Sequence, residues 1–257
     1  MKYLTDLVKR GLLLTLLLSA TGLSATTRSD VNLLEASEDI RFISQKIVKE
    51  YFYLAQSRQK ESALAHLRQD ISLLDDRLRS IAAATKSDDT KNILTFLVYS
   101  RDQINETIEQ PYDIDNAALM LDYSEALLEG AESIAHEHSY QFTSEEEMLI
   151  AVKKMRYLVE RITKYYMTFQ LGISDVNNIK QLQDSIIAFD TAMDRLNTYS
   201  YTQESATALY RLNTFWPVVR KFYLDFEQYR LSNILYISAQ DLEAELRVLE
   251  LYHSQNL

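Results

Sequence analysis

The chain lacks cysteine altogether, and among its 257 residues it has only four glycines and two prolines. Without cysteine there are no disulfide frameworks, thiol nucleophiles or zinc ribbons. Two of the glycines, Gly11 and Gly22, fall in the N-terminal stretch, leaving Gly130, Gly172, Pro111 and Pro217 to punctuate the rest. Sheet-rich folds need turn residues at close intervals, and nucleotide loops need clustered glycines, so this scarcity excludes both. What remains is 47% apolar and 25% charged, the composition of a globular chain. It is predicted to be all-α.

Lys2, Lys9 and Arg10 precede the apolar run 11–18, and small residues follow through Ala25-Thr26-Thr27. Basic, apolar and small segments in that order read as a secretory signal peptide over residues 1–25, cleaved after Ala25. The run is shorter than the roughly 20 residues of a membrane span. Removing it takes away three basic residues and Asp6, so 24 basic residues face 36 acidic ones, about −12 in all. That surface repels nucleic acid and anionic membranes. A soluble periplasmic protein is expected.

Apolar residues recur at three- and four-residue spacing, interrupted at Ser57–Glu61, Thr85–Asp89, Gln110-Pro111, His136–Ser144, Gly172–Asp175 and Thr198–Glu204. The spacing predicts helices near 33–57, 61–84, 89–109, 113–136, 145–171, 175–198, 203–229 and 232–254. Eight long helices of similar length on short turns imply tandem up-down four-helix bundles. The halves also resemble each other. Residues 40–51 align without a gap on 155–166, pairing Arg41 with Arg156, Ile47 with Ile162, Lys49 with Lys164 and Tyr51 with Tyr166. Asp76-Arg77-Leu78 falls over Asp194-Arg195-Leu196 after a three-residue insertion. Two modules, 30–139 and 143–257, are expected.

The stretch Arg41-Phe-Ile-Ser44-Gln45-Lys46-Ile-Val-Lys49 resembles the first-helix motif of the PilJ-type sensor domain. That domain is the N-terminal part of type IV pilus methyl-accepting chemotaxis transducers and is related to NarX-type nitrate sensors. Residues 119–132 are similar to the family's closing helix, and Trp216 is similar to a tryptophan frequent on its third helix. Counted as two copies, the resemblance spans roughly residues 30–254. It implies a four-helix extracytoplasmic unit that senses a ligand. Glu38-Asp39 stands where the family pattern has Gly-Arg, and Val159-Glu160 replaces Ser-Gln in the second copy. Nitrate specificity is therefore not implied.

Arg41 and Arg156, at equivalent points, present planar donor forks suited to carboxylate, nitrate or phosphate, and could share an anion across a pseudo-twofold axis. Pairing with a neighbouring acid such as Glu38 or Asp39 is the plainer alternative. Lys49 and Lys164 lie about two turns further on, and Ser44 and Gln45 offer neutral donors beside Arg41. The ligand-binding set is thus Arg41, Ser44, Gln45, Lys49, Arg156 and Lys164.

His136-Glu137-His138 beside Glu145–Glu147 has histidines two apart, unlike a one-face metal pair, and reads as a solvated turn. His66 and His253 are isolated in the sequence, and no nucleophile motif occurs. Neither a catalytic centre nor a metal or other cofactor is expected. Two functions remain. One is an exported ligand-binding or sensory-accessory protein that takes a small anion or carboxylate and acts through a membrane partner. The other is a structural interaction module of the cell envelope with no small-molecule ligand. Intact-mass measurement of the exported protein should place its first residue near Thr26 in the soluble periplasmic fraction. Membrane-bound protein retaining Met1 would contradict the leader assignment.

Overall fold

A computed structural model describes residues 28–56, 60–173 and 175–257. The expected leader over residues 1–25 lies outside the described residues, as do parts of the turns at 57–59 and 174. The described residues form eight helices and no strand. These are α1 (Arg28–Gln56), α2 (Lys60–Ala84), α3 (Asp88–Ile108), α4 (Ile114–Glu137), α5 (Ser144–Gln170), α6 (Val176–Leu196), α7 (Gln203–Leu224) and α8 (Ser232–Gln255).

Local chemistry explains most of the boundaries. The side chains of Ser87, Asp113, Thr143 and Asp175 accept from backbone N–H groups of the first turns of α3, α4, α5 and α6, and Thr143 with Glu146 completes a capping box. Gly172, at φ 82°, ends α5 in the left-handed conformation that costs a glycine little. Gly130 serves packing instead. A Cβ there would lie 2.5 Å from Leu97 Cδ2, so its absence lets α3 and α4 approach closely.

Two boundaries differ from the sequence reading. α1 begins five residues earlier than expected, at Arg28. α7 stops at Leu224 rather than near 229, because side chains of α5 hold the chain that follows. Tyr166 Oη donates to the Tyr229 carbonyl and accepts from Leu231 N–H, while Gln170 Nε2 donates to the Phe226 carbonyl. These bonds divert backbone groups that an extended α7 would have used.

α1 packs on α2 and α4, with α3 closing the group against α2 and α4. α5 packs on α6 and α8, with α7 closing against both. α1 and α5 lie against each other, and one continuous apolar core runs through both groups. Contacts between Asp39 and Lys153, Phe42 and Arg156, and Lys49 and Glu160 advance together along both helices, so α1 and α5 run in the same direction.

A histidine pins the same end of each group. His138, at the end of α4, places Nδ1 3.1 Å from Asp30 of α1 and Nε2 3.1 Å from Thr90 Oγ1 of α3. His253, near the end of α8, places Nδ1 2.8 Å from Glu145 of α5 and Nε2 2.7 Å from Tyr201 Oη, just before α7. Both acid–histidine pairs span 108 positions, and they are related by the same displacement as Arg41 and Arg156. His253 is fully buried. Removing it strands Tyr201 and one oxygen of Glu145, and a buried unpaired polar group costs about 1–3 kcal/mol in addition to the cavity. His253→Ala should therefore lower unfolding free energy by about 3 kcal/mol in urea titrations, and a loss under about 0.5 kcal/mol would show that the clamp carries little.

Candidate functional site

The seam between α1 and α5 buries an unusual amount of charge. Glu38, Arg41, Lys49 and Glu50 of α1, and Glu160 and Lys164 of α5, are each less than one tenth exposed. Burial of an isolated charge is costly, so each must meet a partner.

The partners are reciprocal. The Arg41 guanidinium lies 4.4 Å from the Tyr157 ring centroid and donates to Tyr157 Oη. The Arg156 guanidinium lies 4.2 Å from the Phe42 ring centroid. Phe42 and Tyr157 are themselves equivalent in the alignment of the two halves, so each arginine covers the aromatic next to the other. Such an exchange of contacts is what a twofold relation produces. It also corrects the expectation of a shared anion. Arg41 pairs with Glu38 at 2.8 Å and with Glu132 at 3.7 Å, and Arg156 pairs with Glu243 at 2.6 Å and with Glu250. The Arg41–Glu38 pair is buried rather than superficial.

The two sides of the seam differ. Toward α4 and α6 it is closed. Gln45 Nε2 donates to Ser44 Oγ and to the Ser124 carbonyl, Lys164 Nζ donates to Ser124 Oγ and to Glu125, and Arg161 donates to Glu125 and Gln181. Four of the six expected residues (Arg41, Ser44, Gln45 and Lys164) therefore sit in a filled interior. Toward α2 and α8 the seam opens into a cleft of about 600 Å³, lined by the other two, Lys49 and Arg156.

The sequence reading missed most of the cleft. Lys46 bonds Asp70 of α2 at 2.8 Å, and Lys49 pairs with Glu160 at 2.6 Å and with Glu50 at 3.5 Å. Tyr236 Oη of α8 donates to Glu50 while its ring stacks on Tyr53 at 3.7 Å. Arg77 and Lys153 both pair with Asp39, and Arg247 lines the cleft with its side chain exposed. Lys46 was within reach of the sequence argument, since it belongs to the same motif as Lys49.

The closed and open sides carry opposite surpluses of charge. On the closed side, Glu125 alone faces Lys164 and Arg161. Burial takes the Lys164 ammonium down to about 8 against the attraction of Glu125, with Arg161 adding repulsion. Burial works against ionised Glu125 as well, yet Lys164 and Arg161 outweigh it and hold that carboxyl below its ordinary value. On the open side, Asp70, Glu160 and Glu50 face Lys46 and Lys49. Burial raises the Asp70 and Glu160 carboxyls, and their lysine partners only partly offset it. Burial alone would lower Lys49, but Glu160 and Glu50 together raise it.

Among the described residues no cluster of His, Cys, Asp and Glu is arranged to hold a metal, and no helix is long and apolar enough to cross a membrane. Comparison of the chain with protein-family models, with curated proteins and with solved structures returns no match.

The low value at Lys164 has a visible consequence. Below pH 8 the amine is protonated in both the folded and the unfolded chain. Between about 8 and the ordinary 10.5 only the unfolded chain holds the proton, so folding stability rises with pH across that window. Thermal melts of the wild type should gain stability from pH 7.5 to pH 9.5, by up to about 2 kcal/mol. Lys164→Met should remove that gain. An identical pH profile in the variant would place the titration elsewhere.

Proposed function

We propose that the protein is an exported, non-enzymatic ligand-binding or sensory-accessory protein of the PilJ/NarX-like four-helix type. It takes a small carboxylate or anion at the seam between two bundles and passes that state to a membrane partner. The observation that carries this reading is the cleft between α1, α2, α5 and α8. A single opening at the junction of two helix groups couples occupancy to how those groups sit against each other. Its walls hold cations in defined places: Arg156 over Phe42, Lys46 on Asp70, and Arg247 with no acidic partner. Arg247 supplies a free guanidinium fork for a carboxylate, which argues for that ligand class. The first-helix motif supports the family assignment through Arg41, Ser44, Gln45, Lys46 and Lys49.

A second reading draws on a different place. Tyr210 and Val218 of α7 are 70% and 54% exposed beside a shallow apolar groove shared with Leu242 of α8. An envelope protein docking there would make the chain a structural interaction module, with the charged seam serving only to fasten the bundles together.

Thermal-shift measurements with acetate, succinate, citrate, nitrate and phosphate distinguish the two. A native-state ligand at a hundred times its Kd adds about 2.7 kcal/mol, or roughly 5–10 °C for a chain of this size. At least one carboxylate should produce such a shift, and Arg247→Gln should abolish it while leaving the unliganded melt unchanged. If no small molecule moves the melt, and a photo-crosslinker at Tyr210 captures an envelope protein, the interaction module is the correct function.

A further inference from the structure

The cleft is electrically divided along its length. Toward the C-terminal end of α1 it holds Asp70, Glu160 and Glu50 against Lys46 and Lys49, a surplus of one negative charge. Toward the N-terminal end it holds Arg77, Lys153, Arg156 and Arg247 against Asp39, Glu243 and Glu250, a surplus of one positive charge. Each half also contains a group whose hydrogen-bonding capacity is unused. Asp70 is 4% exposed, and although Oδ1 accepts from Lys46, its Oδ2 is buried without a hydrogen-bond partner. Arg247, at the other half, pairs with no acid.

Such a cleft is complementary to a dipolar molecule. We propose that its ligand is an amino acid, with the ammonium received by Asp70 Oδ2 and the carboxylate by Arg247. This rests on the ligand-binding reading above and narrows it from carboxylates in general to carboxylates bearing an amine.

The spacing agrees. Arg156 marks the positive half at the level of Phe42, and the Lys46–Asp70 bond lies four residues further along α1, about 6 Å at 1.5 Å per residue. That suits an ammonium and a carboxylate a few ångström apart. A simple dicarboxylate would set one carboxylate against the three acids at the Asp70 end. A diamine would set one ammonium against Arg156 and Arg247. Specificity here comes as much from these repulsions as from the new bonds. The inner bond is also the more discriminating one, because an ammonium that donates to a buried, unfilled carboxylate oxygen relieves an existing cost.

Calorimetric titration with the full chain tests this. The probes are the twenty L-α-amino acids, the matching acids without the amino group and the matching amines without the carboxylate. At least one amino acid should bind ten-fold or more tightly than both of its truncated relatives. Asp70→Asn should weaken that amino acid at least ten-fold and leave the deaminated acid within two-fold of its wild-type affinity. Arg247→Gln should weaken both. Arg247 is exposed, and so should fold normally where Asp70→Asn fails to. In that case the wild-type comparison together with Arg247→Gln decides the matter.

If deaminated acids bind as tightly as their parents, or if Asp70→Asn folds and leaves amino-acid affinity unchanged, the dipolar assignment is wrong while the carboxylate site stands. If amines bind as tightly as amino acids, Arg247 has no role and the assignment is likewise wrong. If no probe binds, the assignment falls together with the ligand-binding reading.

Discussion

The ion pair between Lys49 and Glu160, with Glu50 beside it, is the constraint around which the molecule is arranged. Both partners are almost wholly excluded from water, and neither helix could bury its charge alone. An unpaired ammonium or carboxylate at that depth would cost several kcal/mol, so α1 and α5 must meet in one register. That register in turn sets Arg41 over Tyr157 and Arg156 over Phe42, and it brings Lys153 to Asp39. The apolar core alone would tolerate sliding of one helix along the other. The charges do not.

Much of the architecture was legible because it depends on short-range signals. The 3.6-residue period located all eight helices, and the caps at Ser87, Asp113, Thr143 and Asp175 marked starts that side-chain chemistry then enforces. The end of α7 was not legible. It is decided by Tyr166 and Gln170 some sixty positions away, and the local sequence around Asp225 still reads as helical.

The site was legible in halves. Lys49 and Arg156 could be singled out because their residue types repeat, and both line the cleft. Glu160 stood out only as a departure from the family motif, yet it is the residue that neutralises Lys49. Asp70 carried no signal, because its importance depends on which turn of α2 faces Lys46. His253 was read as isolated, although aligning the halves puts it over His138 and Glu145 over Asp30. A repeat of polar pairs at one displacement is a sharper sign of shared structure than matching apolar residues, which any two amphipathic helices provide.

The seam is built like the contact between two copies of one protein, but both halves belong to a single chain. Identical subunits must carry every substitution twice, once on each side of their axis. An acid at the place of Gln45 and Glu160 would then appear on both faces, along with any change made to accommodate it. A tandem chain is free of that obligation. Here one face has a neutral glutamine and a filled interior, the other a glutamate and an opening. Joining the halves thus permits division of labour, with one face serving as a permanent fastener while the other remains accessible to solvent.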